Sequence, residues 1–377
     1  MRGTAAVIVA LLVLLPGLLA AQDRVKQIKA FIGFDGFVDL ILDVVDKRES
    51  VTRHQRVPNI LKLAERVVSA AGRSTNLELV VKLVKLGGNG PIMANALATF
   101  GVQTAYLGTL GYPNLHPVFA EFAQRAEVHS VAEPGFTDAL EFEDGKILLG
   151  KHESLKQMNW ENICGRFGLD EFTARVNAAQ LLGFVNWTML TAMNEIWAAI
   201  QSQVCPTLTG PRRTLFIDLA DPEKRTPADI RAALELIVKF ERHFHVILGL
   251  NQKEACEIGR ALDLETGDQS PEGLTRLGLE IQRLLPISSL VIHPTHCALA
   301  FSNGQTCLVE GPFTSKPHIT TGAGDHFNSG FCLGKLIGFD DALSLLTGVA
   351  TSGHYVRTAQ SPTLADLAAL LRNWPQS

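Results

Sequence analysis

A glycine-rich segment near the C-terminus, residues 320–327, contains the residue types that stabilise a phosphate group during its transfer. Gly322, Ala323 and Gly324 stand just before a predicted helix, where small residues let backbone N–H groups point into open space. Such a nest of amides stabilises an anion. Asp325 follows in the first helical turn, where its carboxylate could accept the proton of an attacking hydroxyl. On these residues alone, a glycine-rich turn in which Asp325 only caps the helix explains the pattern equally well.

The same segment is similar to the C-terminal signature of the ribokinase-like (PfkB) carbohydrate kinases, D-T-x-G-A-G-D-x-F followed by a helix. The match continues through residues 328–331, and residues 353–363 are similar to the closing segment of that family. Three further motifs occur upstream in the order of the family, so the resemblance covers about residues 30–374. It implies ATP-dependent phosphorylation of a hydroxyl on a sugar or sugar derivative, with Asp325 as the base. The backbone of residues 322–325 would then hold the transferred phosphoryl group.

Two aspartates after the first predicted strand are the candidates for binding the sugar. In the family, an aspartate a few residues past the glycine of that strand holds sugar hydroxyls. The resemblance assigns this role to Asp39, with Asp35 as the second candidate. An ionised carboxylate only accepts hydrogen bonds, which suits the recognition of two adjacent hydroxyls. The alternative is that each is a solvated aspartate of a turn.

A glycine pair, Gly87 and Gly88, precedes Asn89 and a predicted helix, and it is similar to the G-G motif of the family. There the backbone approaches the sugar closely, which only glycine permits. Asn89 is placed where its side chain could reach the substrate. The family usually has an asparagine four residues after the second glycine, and Ile92 occupies that position here. We expect Asn95, one helical turn later, to take over its role, and the change favours an unusual substrate.

The third upstream motif, N-x-x-E at residues 251–254, follows a predicted strand. The resemblance implies that Glu254 orders Mg²⁺ through water and that Asn251 lies near the phosphates. Magnesium keeps several waters and one or two carboxylates as ligands, which fits this sparse arrangement. By itself the motif is also an ordinary helix start. Asp218 and Asp221 are secondary candidates, because they occupy a stretch similar to the D-P-N-x-R segment of the family.

Two departures from the family concern the nucleotide and a cation. The strand that ends T-x-G-x-x-G in the family lacks both glycines here, and His293 and Thr295 stand at its end. We expect these two residues and Thr321 to contact the nucleotide; ATP is the expected donor, and another nucleotide stays open. Ile319 replaces the aspartate that supports a monovalent-cation site in the family, so dependence on potassium is doubtful. His293 and His296 could together bind a metal, but no third ligand stands near them in the sequence.

The elements that must position these residues alternate between strand and helix. Short apolar runs that predict buried strands and spacings that predict amphipathic helices follow each other from about residue 181. The alternation predicts an α/β fold with a three-layer, doubly wound, mostly parallel sheet. Earlier strands, including a hairpin at residues 139–149, do not fit the alternation and predict a small β lid. We expect lid segments at about 38–50 and 103–150, within a kinase domain of residues 25–377.

Composition and charge exclude several classes of protein. Of the 377 residues, 46% are hydrophobic and 19% are charged, which indicates a folded rather than a disordered chain. The net charge of −4 and the lack of a basic stripe in the sequence argue against nucleic-acid binding. The six cysteines are widely spaced and predict neither a zinc site nor a disulfide framework.

The N-terminal residues 1–24 read as an apolar leader or extension ahead of the kinase domain. The apolar run resembles a secretory signal peptide with an imperfect cleavage pattern, and an upstream extension explains it equally well. It is short for a membrane span, which needs about 20 apolar residues. Because the chemistry needs ATP, we expect a cytoplasmic protein, with export or membrane attachment left open. An exposed edge of the lid could pair two copies into a homodimer.

Two other functions stay open at this point. A nucleoside kinase of the same fold would need an aromatic clamp in the lid, for which Phe37, Phe136 and Phe142 are candidates. A catalytically silent relative that binds a sugar or nucleotide is favoured by Ile92 and Ile319. The intact base and metal motifs argue against the silent relative, since such a protein needs neither.

Overall fold

The computed structural model describes residues 9–375 and places their strands in two separate sheets. In chain order the strands are β1 (Lys29–Phe34), β2 (Phe37–Arg48), β3 (His54–Arg56), β4 (Leu79–Gly87), β5 (Gln103–Gly108), β6 (Glu127–Ser130), β7 (Gly135–Phe142), β8 (Gly145–Lys151), β9 (Leu181–Val185), β10 (Arg213–Asp218), β11 (Phe244–Leu250), β12 (Ser289–Ile292), β13 (Cys297–Ser302) and β14 (Gln305–Glu310).

The α-helices mostly follow the strands that they cover. In chain order they are α1 (Leu15–Ala20), α2 (Gln22–Val25), α3 (Ile60–Ser69), α4 (Asn89–Phe100), α5 (Trp160–Asn162), α6 (Leu169–Ala178), α7 (Met193–Ala199), α8 (Pro227–Phe240), α9 (Gln252–Ala261), α10 (Pro271–Leu284), α11 (Ala323–Leu336), α12 (Asp341–Thr358) and α13 (Leu364–Arg372). Short π-helical or 3₁₀ turns occupy Ala10–Leu14, Pro117–Phe119, Phe122–Gln124, Glu153–Gln157, Ile163–Phe167, Ile200–Val204, Cys205–Thr207 and Pro222–Lys224.

Among the described residues, the larger sheet has nine strands in the order β14-β13-β12-β11-β10-β9-β1-β5-β6. The strands from β12 to β6 in this order pair in parallel, while β13 and β14 add an antiparallel edge. Parallel pairing requires a crossover between strands, and helices make those crossovers here. The predicted mostly parallel α/β sheet is therefore confirmed.

Strand β10 shows why the sheet is covered on both faces. Its alternate residues enter different cores, because successive side chains of a strand point to opposite faces. Leu215 and Ile217 pack in one core with Ile237 of α8. Phe216 packs in the other core with Phe327 of α11. With both faces buried, the strand is apolar at three consecutive positions, Leu215, Phe216 and Ile217, and it lies in the middle layer of the predicted three-layer arrangement.

The smaller sheet contains β3, β2, β7 and β8 in that order, with β4 also paired to β2. Leu42 and Val44 of β2 pack with Leu140 of β7 and with Leu63 of α3, so one face of this sheet has its own small core. Asp39 of β2 belongs to the opposite set of alternating residues. That second face is the one available to a ligand, and we call the smaller sheet the lid.

The predicted boundaries of the lid need a correction. The first segment, 38–50, corresponds to β2, but the second, 103–150, begins too early. Its first strand, β5, pairs in parallel with β1, and β6 pairs with β5, so both belong to the larger sheet. The lid instead takes β4, which pairs antiparallel with β2. Apolar alternation looks the same in both sheets, so the sequence pattern could not assign these strands.

The predicted leader, residues 1–24, falls partly outside the described residues, which begin at residue 9. Leu14 and Leu18 are 0% and 2% exposed, and they share a core with Leu345 of α12 and Leu367 of α13. In the described residues no helix is long and apolar enough to cross a membrane. All six cysteines are free thiols in this structure.

Candidate active site

Polar residues from five neighbouring strands meet at the carboxyl edge of the larger sheet. Asp35, Asn186 and Asp218 stand at the ends of β1, β9 and β10. Asn251 and His293 follow β11 and β12 in the same way. Ligands of open parallel sheets bind at this edge, because the loops there open between helices. Sequence motifs that are far apart in the chain are brought together here.

The phosphate nest at residues 322–325 is formed by the start of helix α11. Gly322 is the N-cap with φ 91°, a left-handed backbone that favours glycine. The hydroxyl of Tyr355 donates to the carbonyl of Thr321 at 2.9 Å and holds the preceding residue in place. The amide of Ala323 donates to the carbonyl of Thr320 at 3.1 Å, so binding an anion there would replace this bond. The amide of Gly324 follows at the second helical position, where a helix has no internal acceptor.

Asp325, the predicted base, is the third residue of α11 and is only 9% exposed. Its Oδ1 accepts a hydrogen bond from Nδ2 of Asn89 at 2.9 Å. Burial raises the pKa of Asp325 to about 8, the Asn89 bond opposes this, and the charges of Asp35 and Glu254 raise it further. A carboxyl group that titrates near neutral pH can accept and release a proton during turnover. Asn89 therefore contacts the base, whereas the sequence motif predicted a contact between Asn89 and the substrate.

Asp35 supports the glycine loop that carries Asn89. It is fully buried, and its two oxygens accept the amides of Asn89 at 2.9 Å and Gly90 at 2.8 Å. Burial raises the pKa of Asp35 to about 6, although these hydrogen bonds oppose the rise. Gly88 has φ 98°, and a Cβ added to it would lie 2.8 Å from Oδ2 of Asp35. The close approach of loop and carboxylate thus explains the second glycine of the motif.

Asn186 and Tyr106 belong to the same group, and sequence reasoning missed both. Nδ2 of Asn186 donates to Oδ2 of Asp35 at 2.7 Å, and the hydroxyl of Tyr106 donates to the Asp35 carbonyl at 2.5 Å. Asn186 has φ 61°, a conformation that asparagine tolerates better than most residues. An asparagine directly after a buried strand is a weak signal, so only the assembled fold reveals its role.

Asp39, the predicted sugar ligand, lies on the lid and is partly exposed. Burial raises its pKa, while Lys85 and a hydrogen bond from Thr137 lower it. A Cβ on Gly87 would lie 2.4 Å from Oδ2 of Asp39, so the first glycine of the pair makes room for this carboxylate. Asp39 therefore has the accessibility that binding a sugar hydroxyl requires.

Asn95 and Ile92 have other neighbours on helix α4. Nδ2 of Asn95 donates to Ser361 at 3.1 Å, and its Oδ1 accepts from Arg125 at 3.1 Å. Both ends of this amide thus have protein partners, and we do not retain Asn95 as the substitute sugar contact. Ile92 is buried, and its Cδ1 lies 3.3 Å from where a Cβ on Gly322 would be. Ile92, which replaces the asparagine usual in the family, therefore packs against the phosphate nest.

Three buried acidic side chains lie close enough to interact electrostatically. Burial and the charges of Glu254 and Asp325 raise the pKa of Asp218 well above its ordinary value. Burial also raises the pKa of Glu254, although its oxygens accept the amides of Asn251 at 2.9 Å and Asp221 at 3.0 Å. Asn251 and Glu254 form the capping box of α9, so the interpretation of the motif as a helix start is confirmed. Crowded carboxylates that repel one another are a donor set that suits Mg²⁺.

A second acidic cluster is already bridged by a lysine. Asp221, Glu223 and Glu257 place carboxylate oxygens within 4.8 Å of one another. Nζ of Lys253 lies 2.5 Å from oxygens of both Asp221 and Glu223. The lysine supplies the positive charge that this cluster needs, so the better candidate for Mg²⁺ is the group around Glu254.

The predicted nucleotide residues surround a cavity of about 340 Å³ beside the nest. Asn251, His293 and Thr295 line it, whereas Thr321 is not in its lining. The rings of His296 and Phe313 are tilted by 32° with their centroids 4.2 Å apart, and they give this wall an aromatic surface. The strand end without glycines therefore still borders a pocket of a size suited to part of a nucleotide.

Comparison with known proteins agrees with the resemblance seen in the sequence motifs. Residues 20–374 match the prokaryotic ketohexokinase family. A ketohexokinase from Haloferax volcanii is 31% identical over 352 residues, which are 92% of this chain and 92% of that protein. An adenosine kinase from Sinorhizobium meliloti has a similar structure, with a TM-score of 0.61, 17% identity and coverage of 92% of this chain and 99% of that one.

A ribokinase from Thermotoga maritima is similar in structure with a TM-score of 0.59 and 13% identity, over 92% of this chain and 100% of that one. These structural likenesses concern the fold and agree with the large sheet and separate lid. The family match and the sequence identity extend over nearly the whole chain. The chain therefore belongs to the prokaryotic ketohexokinase family of ribokinase-like (PfkB) carbohydrate kinases, which transfer a phosphoryl group to a hydroxyl.

Proposed function

We propose that this protein transfers the γ-phosphoryl group of ATP to a hydroxyl of a ketohexose, with Asp325 as the general base. The observation that carries the proposal is the hydrogen bond from Asn89 to Asp325, at 2.9 Å, beside the phosphate nest. It joins the sugar-side glycine loop to the phosphate-side helix at a carboxyl group whose pKa is raised to about 8. The match to ketohexokinases supports the ketohexose as acceptor.

Each side chain then has a chemical task. The sugar hydroxyls bind to the carboxylate of Asp39 under the lid, and Asp325 accepts the proton of the attacking hydroxyl. The backbone N–H groups of residues 322–325 stabilise charge on the equatorial oxygens of the group in transfer. Asp35 keeps Asn89 in place and so holds the base in position.

Mg²⁺, when bound, supplies positive charge that offsets the charge of the triphosphate. The residues that would hold it, partly through water, are Glu254 and Asp218. Their mutual repulsion in the buried site is the property that a cation would relieve. Asn251, His293 and Thr295 contact the nucleotide in the adjoining cavity.

The nucleoside kinase alternative is less well supported by the lid. Phe37 and Phe142 are 6% and 8% exposed and pack into cores. Phe136 packs edge-on to His116 with ring centroids 6.1 Å apart. Phe37 and Phe142 therefore present no open ring face for a base, and Phe136 is partly buried against the core of the larger domain. The silent relative is also less well supported, because the base and the acidic group are assembled together.

Assembly and location are further parts of this proposal. Leu83 and Val84 of the lid strand β4 are 54% and 46% exposed, and β4 lies at an edge of its sheet. We propose that this edge joins two copies into a homodimer, because exposed apolar edge strands tend to pair. Light scattering during gel filtration tests it, and a monomer at 10 µM or above, as an order of magnitude for a stable dimer, would reject it. A cytoplasmic location follows from the need for ATP.

The test of the proposed function is ADP release from Mg·ATP over a panel of acceptors. The panel contains ketohexoses, aldohexoses, sugar acids and nucleosides, and kcat/KM is compared among them. The proposal expects the highest kcat/KM with a ketohexose. A nucleoside as the best acceptor would replace the proposal by the nucleoside kinase. No turnover with any acceptor, while ATP still binds, would favour the silent relative.

A further inference from the structure

Lys146 projects from the lid toward the main domain. It stands on β8 opposite Glu141 of β7, one residue after the hairpin turn. Its neighbour Ile147 packs into the lid core beneath α3. Because alternate residues of a strand point to opposite faces, Lys146 projects from the face that carries Asp39. The side chain stays accessible to solvent and hence to a ligand.

The ammonium group of Lys146 reaches the entrance of the phosphate nest. Its Nζ donates a hydrogen bond to the hydroxyl of Thr321, the residue directly before the N-cap Gly322. This bond joins the lid to the segment that begins α11, across the cleft between them. A positive charge from the lid therefore lies next to the backbone amides that would hold the transferred group.

The hydrogen-bond partner of Lys146, the hydroxyl of Thr321, carries no negative charge. Partial burial and the charge of Lys85 lower the pKa of Lys146, while Glu141 and Asp39 act in the opposite direction. Thr321 offers only a neutral hydroxyl. An ammonium group that is partly desolvated gains most from an anion at this point.

The strand register of the lid places Lys85 and Lys146 at different parts of the site. Lys85 stands directly opposite Asp39, on the side where the acceptor sugar would bind. Lys146 stands opposite Glu141 of β7. Glu141 lies two residues further along β7 than Ala139, the residue that pairs with Ile41 of β2. It is Lys146 whose ammonium group reaches the segment of the nest. A contact with the phosphoryl group therefore fits Lys146 better than a contact with the acceptor sugar.

We propose that Lys146 is a catalytic residue that exchanges its bond with Thr321 for a non-bridging oxygen of the phosphoryl group in transfer. The inference rests on the proposed phosphoryl transfer and adds a cation supplied by the lid. Its contribution is charge stabilisation, which is strongest when the lid closes over the site and excludes water. The lid then contributes directly to the rate.

The test compares Lys146→Met, Lys146→Arg and Lys151→Met in the full chain with saturating Mg·ATP. We expect Lys146→Met to lower kcat about 10²-fold, the loss typical of a donor to a developing anion, with the acceptor KM changed less than about threefold. Lys146→Arg keeps the charge and should recover at least about tenfold of that loss. Lys151 is the matched control, because it stands on the same strand and pairs with Asp138 at 2.8 Å. Lys151→Met should retain the wild-type kcat.

A structural role is separated from a catalytic one by Thr321→Val, which removes the lid contact but keeps the ammonium group. This variant should lose less activity than Lys146→Met. Equal losses would mean that the bond only fastens the lid, and the proposal would be wrong. A rise in acceptor KM alone in Lys146→Met would assign the lysine to the sugar and also reject it.

A binding measurement keeps the inference independent of turnover. Calorimetry with Mg·ADP and aluminium fluoride, which imitates the phosphoryl group in transfer, should show weaker binding to Lys146→Met than to the wild type. Binding of Mg·ADP alone should be the same for both proteins. Failure of the proposed function would appear as a wild type that turns over no acceptor. Failure of this inference would appear as equal affinity of both proteins for the aluminium fluoride complex.

Discussion

Replacement of the base Asp325 by asparagine should make the protein more stable while it removes activity. The carboxyl group is 9% exposed, and burial with the charges of Asp35 and Glu254 raises its pKa from 3.8 to about 8. Because a tenfold change in an equilibrium constant is about 1.4 kcal/mol, keeping this group ionised in the folded protein costs at most about 6 kcal/mol. Relaxation around the site lowers that figure, so we expect a gain of about 1–3 kcal/mol at pH 8.

The sign of the pH dependence follows from the two states of the chain. The pKa of the carboxyl group is higher in the folded than in the unfolded protein, so the folded protein binds more protons between pH 4 and 8. The stability supplied by this group is therefore present at low pH and is lost as the pH rises toward 8. Asp325→Asn cannot ionise, so its advantage over the wild type should grow from pH 5 to pH 8.

Thermal unfolding without Mg²⁺ or nucleotide, at pH 5 to 9, measures this effect. A gain of about 1–3 kcal/mol corresponds to a rise in Tm of roughly 1–4 °C at pH 8 for a chain of this size. Asp138→Asn is the control, because Asp138 forms a surface pair with Lys151 and should gain nothing. If Asp325→Asn is less stable than the wild type at pH 8, or gains equally at pH 5 and 8, the electrostatic reasoning is refuted.

Three further predictions concern the loop, the base and the metal. Gly88→Ala should unfold at least about 2 kcal/mol more easily, because it combines a φ of 98° with a contact to Asp35. Gly72→Ala, with a φ of 74° and no atom within 4 Å, should lose only about 1 kcal/mol, and equal losses in urea unfolding would contradict the account. The kcat/KM for the acceptor should rise with pH to a plateau as Asp325 loses its proton, with an apparent pKa at or below about 8. A stopped-flow pH series measures this curve, and a fall of kcat/KM over the same range would count against Asp325 as the base. Mg²⁺ alone should raise Tm more at pH 8 than at pH 5, because the repulsion it relieves near Glu254 needs ionised carboxylates, and Glu254→Gln should abolish the difference.

The sequence was informative where residue type and neighbours in the chain decide the chemistry. The nest and Asp325 follow one another on the start of one helix, so the motif alone placed them together. Strand ends were predictable for the same reason, because short buried runs followed by polar residues indicate the carboxyl edge of a parallel sheet.

The sequence was less informative where long-range contacts decide the role. Asp35 was expected near the sugar, but it is fully buried and binds the amides of Asn89 and Gly90. Asn186 completes that group from 151 residues away, and no local pattern marks it. The lid boundary failed for a similar reason, because β4 and β5 are both apolar strands and only their pairing partners differ.

The most direct test of the central claim is ketohexose-dependent ADP formation by the wild type and by Asp325→Asn, with each protein shown to be folded and to bind Mg·ATP. The account predicts that the wild type forms one ADP for each sugar phosphate. Loss of the base should lower kcat by about 10³-fold. An Asp325→Asn variant that keeps the wild-type rate, or a wild type that forms ADP equally fast without sugar, would contradict it.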